Sequence, residues 1–556
     1  MRIRSLGTRL AIPAVAVGLL VSGCSGANDV APGTSDIGST NDINPRDPSE
    51  LRDGGNLRLV LSSFPENFNV LHVDGNTSSG VAVVEPTMPA AYVSDAAGRV
   101  SVNHDYFTDI QLTGTEPQQV TYTINPKAVW SDGTPITWED LSSQAAALSG
   151  RDDAFLIAAT SGFDRVRTVE RGVDDRQAIV TFDQPYSEWK AQFSPLYPKA
   201  TTQTPDAFDN RDKNGLTQSA GPFLITGIDR GQNRITLGRN PLWWGNKPKL
   251  DSITFSVLDS SAWLPAIQNN ELDTAYMSGI ENVTGARNAA GVVLRRTPEP
   301  AWAHITFNGA PGSLLADPQL RIAISKAIDR QGIVNAAQHG VVENPKPLNN
   351  HVFVAGQQGY QDNAGPISYD PDAAARMLDD LGWKLNGDVR EKDGRRLELR
   401  NVMYQQDAWV QTAQIVQQNL AKVGVQMTIQ TVPGTGLFTN VIDPGNFELA
   451  NFSWSGSVFP LVALPQIYAY DPDNLMGNKA RIGSPELNAL IDKTMSELDP
   501  DKAIELANEC DRMIFAEGYS IPLNQASGTY AVRADLANYG AFGLASRDYT
   551  TVGFLK

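Results

Sequence analysis

Cysteine is nearly absent from this 556-residue chain, which holds only Cys24 and Cys510. Without a disulfide framework, stability has to come from burial. Histidine is also scarce: His72, His104, His304, His339 and His351 lie far apart, without metal-ligand spacing, so no metal and no cofactor is assigned. There is no His-Glu-x-x-His, Cys-x-x-Cys, Walker A loop, Gly-x-Gly-x-x-Gly or Gly-x-Ser-x-Gly, and these absences argue against an enzyme. Positive charge is in deficit, with 45 Lys and Arg against 62 Asp and Glu for a net charge of −17. An acidic body repels polyanions, which excludes nucleic acid as the expected partner. No run approaches twenty apolar residues, so no segment is predicted to span a bilayer permanently. What remains is a composition of 41% hydrophobic and 19% charged residues, enough to bury large cores in two or three domains.

The amino terminus is the most legible segment. Arg2, Arg4 and Arg9 precede an apolar stretch over residues 11–20 and then Val21-Ser22-Gly23-Cys24. That order reads as an export signal over residues 1–23. Its end resembles the lipobox of bacterial lipoproteins, in which the cysteine becomes the acylated amino terminus. The resemblance implies lipid on Cys24 and anchoring to the outer face of the cell membrane. Losing the three arginines takes the mature chain to about −20. Lipidation would leave Cys510 without a partner, within a helical stripe of Ala503, Leu506, Ala507, Cys510, Met513 and Ile514 that fits core packing. Residues 24–54 are polar and rich in Gly, Pro, Asp and Ser, and are predicted to form a flexible tether spanning roughly 30 Å.

Beyond the tether the pattern is mixed α/β. Leu57, Leu59 and Leu61 alternate, as do Val120, Tyr122 and Ile124, each predicting a half-buried strand. A turn at Asp132-Gly133-Thr134-Pro135 leads to a helix opening at Trp138. Three later helices open on Asp-Pro pairs, at Asp317-Pro318, Asp370-Pro371 and Asp499-Pro500. Trp409, Ala413, Val416, Leu420 and Val423 recur at helical spacing, Gly424 stops them, and Val425, Met427 and Ile429 alternate as a strand. No internal repeat is visible. Ser187-Glu188-Trp189-Lys190 fits the Ser-x-x-Lys of serine acyl-enzymes but has no accompanying Lys-Thr-Gly or Ser-Asp-Asn, so it is expected to begin a helix after the strand at 179–182.

Five separated blocks converge on one family. They are residues 120–135 (VTYTINPKAVWSDGTP), 219–223 (SAGPF), Arg239-Asn240-Pro241, Asn308, and 317–334 (DPQLRIAISKAIDRQGIV). In this order they resemble the extracellular solute-binding proteins of the oligopeptide, dipeptide and nickel class that serve ABC importers. Asn349-Asn350-His351-Val352-Phe353 makes the chain most similar to mycobacterial and related actinobacterial oligopeptide-binding lipoproteins. The resemblance implies a periplasmic-binding-protein-like clamp of two lobes and three domains. Lobe one would comprise residues 55–72, 201–298 and 516–556, with an extra α/β domain over 73–200 packed on it; lobe two would comprise 299–515. Ligand would be trapped by hinge closure.

The resemblance also implies a binding site. Peptide-binding relatives align ligand backbone as an added strand, and the matching positions are Ser62-Ser63-Phe64 and Ser453-Trp454-Ser455-Gly456. Relatives usually carry Asp three residues after that Trp, on the ligand's ammonium. Here the position is Ser457, followed by Val458 and Phe459. Either another acid such as Glu66 or Asp443 supplies the charge, or the amino terminus stays solvated, or the ligand has no ammonium. His304, Asn308, Asn350 and His351 are further pocket candidates, each with a structural alternative. The expected function is capture of oligopeptides outside the membrane for an ABC permease, by a protein that is monomeric when free. The alternatives are a non-peptide cargo such as haem, a metal chelate or a glycoconjugate, and a non-transporting regulatory envelope lipoprotein.

Overall fold

The computed structural model describes residues 41–556 except 434, 435 and 476. The signal segment, Cys24 and the first part of the expected tether lie outside the described residues. The remainder of the tether is a correction. Residues 42–54 are tied to the carboxy-terminal segment: Asp42 and Ala541 exchange main-chain bonds of 2.9 and 3.0 Å, Arg52 N donates to Phe554 O, and Leu51 is 1% exposed. A short turn, Pro48–Glu50, is closed by a capping box between Asp47 and Glu50. Backbone pairing holds this segment, so its polar composition misled the expectation.

The strand Asn56–Leu61 turns Leu57, Leu59 and Leu61 inward, as the alternation predicted. It pairs parallel with Ser252–Val257, which continues antiparallel to Arg234–Arg239 and then Phe223–Asp229. The core beneath this sheet also takes Val532, Leu536 and Phe554 from the far end of the chain. The first lobe is therefore assembled from discontinuous segments. A smaller sheet of Thr274–Tyr276, Thr529–Arg533 and Val292–Arg296 completes it.

The intervening chain folds around its own antiparallel sheet, in the order Phe107–Thr115, Gln118–Ile124, Gln177–Phe182, Val166–Arg171. Val120, Tyr122 and Ile124 are buried in it, and Trp138–Ala147 packs as its helix. This extra domain docks on the first lobe through Tyr106 Oη to Ala220 O and Trp244 Nε1 to Asp105 O. It also touches the second lobe: Arg165 pairs with Asp492 at 2.6 Å, Ser187 N donates to Met495 O, and Leu461 N donates to Glu188 Oε1. Its core is continuous with apolar residues of that lobe. The helix expected at Ser187 is only a single turn, Trp189–Ala191.

The second lobe is built on a mixed five-stranded sheet, ordered Gln426–Val432, Glu398–Tyr404, Leu449–Ser455, Ala301–Phe307, Ser520–Gln525. All three Asp-Pro helices form: Pro318–Lys326, Pro371–Asp380 and Pro500–Ala516, each capped by its Asp carboxylate on main-chain N–H groups. The helix Asp407–Ala421 and the strand after Gly424 follow the predicted spacing. One boundary moves. Ser520–Gln525 was expected in the return to lobe one, yet it pairs with Ala301–Phe307 in this sheet, so the return starts after Gln525.

Two segments link the lobes, residues 297–300 and 526–528. They run side by side, with Glu299 N bonded to Ala526 O and Thr297 N to Gly528 O. Gly528 has φ +53°, and a Cβ there would collide with the Thr297 carbonyl, so only glycine lets the two chains cross this closely.

Candidate functional site

The strand Leu449–Ser455 is paired along its whole length on one side only. Gly456 N donates to Pro300 O and Asn308 N to Glu448 O. Antiparallel bonding alternates, so the even-numbered residues 450, 452 and 454 bond to Ala301–Phe307. Odd-numbered residues direct N–H and C=O to the other side. There the neighbouring strand accompanies only Leu449, Ala450 and Asn451 before following Gln426–Val432 away. Ser453 and Ser455 therefore present main-chain groups with no strand partner among the described residues. An unpaired strand edge of this kind is a template for another extended chain.

Side chains around the edge fix its shape. Trp454 is half-buried, packed edge-on to Phe452 at 5.2 Å and parallel to the His304 ring at 5.8 Å. A Cβ on Gly456 would lie 2.5 Å from Pro300 O, so glycine lets the strand end hug the hinge. Ser457 is exposed, but its hydroxyl accepts from Phe459 N at 3.1 Å and Gln357 holds its carbonyl at 2.9 Å. Phe459 is half-buried in the same segment. In the first lobe, Ser62 and Ser63 are exposed just after the first strand, with Ser63 N bonded to Ser79 Oγ. Phe64 lies beneath the Arg230 guanidinium at 4.4 Å.

Four of the expected pocket residues lie in the interior of the second lobe. His304 is 0% exposed, enclosed by Trp302, Phe452 and Trp454. Burial, with His351 nearby, depresses its pKa to about 3, so the imidazole is neutral. Asn308 donates to Gly445 O and Phe447 O and thereby closes a loop. Asn350 accepts from Val352 N and Phe353 N and donates to Gln361 O and Asn508. His351 meets Asp511 twice, through its main-chain N at 2.9 Å and Nδ1 at 2.8 Å. The polar atoms of Asn308, Asn350 and His351 tie loops to the core, whereas both ring nitrogens of His304 are buried without a hydrogen-bond partner among the described residues; burial of all four corrects their expected place in the pocket. Of the acids considered for the missing charge, Asp443 pairs with Lys479 at 2.7 Å and Glu66 is exposed.

Several charged groups, three near the hinge and one where the extra domain meets the second lobe, escaped the sequence reading. Arg547 pairs with Glu85 at 3.0 Å, and Tyr549 donates to the same carboxylate. Glu299, on a hinge segment, accepts from Tyr530, and burial raises its pKa. Glu188 is held by Leu461 N at 3.1 Å, and burial pushes its pKa up to about 7 against the opposing pull of that bond and of Lys190. No local pattern marks Glu85, Glu299 or Arg547. Glu188 lay inside the Ser-x-x-Lys motif, where serine and lysine drew attention instead. That dyad is not made: Lys190 sits over the Trp189 ring, and Ser187 Oγ is buried without a partner among the described residues.

Two lobes joined by paired crossing segments, with an open strand edge beside the hinge, define a clamp for an extracellular solute. The comparisons give it a family. Residues 113–474 match Bacterial extracellular solute-binding proteins, family 5 Middle. The oligopeptide-binding protein OppA of Mycobacterium tuberculosis H37Rv is 51% identical over 550 residues, covering 97% of this chain and 92% of that protein. Among solved structures, a periplasmic EDTA-binding protein, EppA, superposes with TM-score 0.86 at 25% identity, over 94% of this chain and 99% of its own. The oligopeptide-binding protein AppA of Bacillus subtilis, in complex with a nonapeptide, has TM-score 0.78 at 17% identity, covering 91% and 100%. The chain belongs to the family 5 bacterial extracellular solute-binding proteins. None of its described helices is long and apolar enough to cross a membrane.

Proposed function

We propose that this protein is the substrate-binding component of an ABC importer, capturing oligopeptides outside the membrane and delivering them to the permease. The observation that carries the reading is the open edge at Ser453 and Ser455, which pairs an extended backbone regardless of its side chains. Close similarity to a protein named for oligopeptide binding supports the cargo class. Ser62-Ser63-Phe64 and Ser455-Gly456-Ser457 supply the facing walls, with Trp454 and Phe459 beside them. Binding energy favours the closed lobes through the hinge at 297–300 and 526–528. Lipid on Cys24 anchors the receptor to the outer face of the membrane and keeps a monomer near its permease. The protein performs no covalent step.

Native mass spectrometry of the protein purified without denaturation tests the cargo. A ladder of peptide masses is the expected result. A single haem, chelate or glycoconjugate mass, with no melting shift on adding peptides to the stripped protein, would replace the peptide reading.

A further inference from the structure

The extra domain is fixed to the first lobe through buried main-chain groups. Tyr197 Oη donates to Phe68 O at 2.6 Å and accepts from Val70 N, and Thr87 O receives both Ala220 N and Gly221 N. Its hold on the second lobe is of another kind. There it meets the carboxyl end of the helix Pro485–Ser496: Arg165 reaches Asp492 at 2.6 Å and Ser496 Oγ at 2.9 Å, and Ser187 N donates to Met495 O at 2.7 Å. Leu461 N, in the turn Pro460–Val462, donates to Glu188 Oε1.

These contacts complete groups that the second lobe leaves open. The last carbonyls of a helix and the first N–H groups of a helical turn have no partner inside their own element, and a guanidinium at a helix carboxyl end is favoured by the helix dipole as well. The extra domain offers the partners on a rigid mount. Arg165 is braced by Pro185 O at 2.8 Å, and a Cβ on Gly162 would lie 2.3 Å from the buried Tyr186 ring, so only glycine lets that ring support the turn Phe163–Arg165. None of these residues belongs to the open edge or to the facing segment at 62–64.

We infer that this contact is the catch of the clamp: the extra domain grips the carboxyl end of the helix Pro485–Ser496, holds the second lobe closed, and so sets how long cargo stays trapped. The inference rests on the clamp reading above and not on the identity of the cargo. Rotation about 297–300 and 526–528 carries the second lobe away from the first lobe and the extra domain together, and each bond across the catch must break. Opening returns Met495 O, Leu461 N and the Arg165 guanidinium to water. Because water satisfies them, the difference between closed and open is small. Arg165 is 14% exposed and Asp492 66%, which places their pair at a rim where ion pairs contribute modestly. A modest catch suits a receptor that has to reopen at its permease.

Small-angle scattering of the full-length protein, purified without denaturation, reads closure whatever the cargo, and the loss of bound pentapeptides after dilution times release. Wild type should give the radius of gyration of this structure. Asp492→Lys sets a like charge against Arg165 on a largely exposed side chain; it should enlarge the radius and speed release by about tenfold. Arg165→Ala should act in the same direction, and adding Asp492→Lys to it should change neither quantity further. Asp492→Glu keeps the charge, should behave as wild type, and is the comparison that decides if Arg165→Ala folds poorly. Asp492→Lys with the radius and release rate of wild type, an equal effect of it without Arg165, an equal effect of Asp492→Glu, or a wild type that scatters as an opened clamp each overturns the inference. Failure of pentapeptides to bind wild type overturns the peptide reading alone, and scattering still decides the catch.

Discussion

Gly456→Ala perturbs the open edge without touching any charged or aromatic group. An alanine Cβ would stand 2.5 Å from Pro300 O, whereas an unstrained C···O contact is about 3.3 Å. Strand end and hinge segment must therefore separate by about 0.8 Å. The move stretches the bond from Gly456 N to Pro300 O and displaces Ser455, whose outward N–H and C=O are half of the proposed docking edge. Losing two peptide hydrogen bonds of about 1 kcal/mol each weakens binding roughly thirtyfold. Calorimetric titration with a pool of unmodified pentapeptides reads this directly. Gly365→Ala is the control in the same lobe, since a Cβ there meets nothing within 4 Å. Binding by Gly456→Ala within about twofold of wild type would refute the assignment of the edge.

Other outcomes follow from the interior. Asp511→Ala strands the His351 main-chain N–H and Nδ1 in a fully buried site and takes one of two acceptors from Asn363 Nδ2, which keeps Asn508; calorimetry should show the second lobe destabilised by about 3 kcal/mol or more. His304 has its pKa lowered to about 3 in the folded chain, so the unfolded chain binds a proton first as pH falls below about 6.5. Its contribution is fully present above that pH and is lost at up to about 1.4 kcal/mol per pH unit down to about pH 3, a slope that His304→Phe should remove from denaturation curves. Cys510 is buried with its thiol pushed up to about 11, so iodoacetamide at neutral pH should leave the folded protein unlabelled and modify it only after denaturation.

Most of the scaffold was legible because its signals are local. An Asp carboxylate before proline satisfies the first free N–H groups of a helix wherever the helix later packs, and all three such starts held. The alternation at Leu57, Leu59 and Leu61 was equally self-sufficient. Segments held by distant main chain were not legible. Residues 42–54 and Ser520–Gln525 owe their places to pairing partners hundreds of residues away, and nothing in their own pattern names those partners. The strand Ala301–Phe307, flanked by strands on both sides, is buried on both faces over its last four residues, so alternation could not tell whether His304 faced a pocket or the core.

Specificity in such a receptor has to be separated from affinity. Main-chain pairing at the proposed edge, Ser453 and Ser455, would be indifferent to sequence, and Trp454 would add apolar surface that most peptides can use. Neither distinguishes one cargo from another. Discrimination then falls to what closure of the lobes excludes: a chain that fits between them favours the closed form through the segments 297–300 and 526–528, and one that does not fit gains the edge alone.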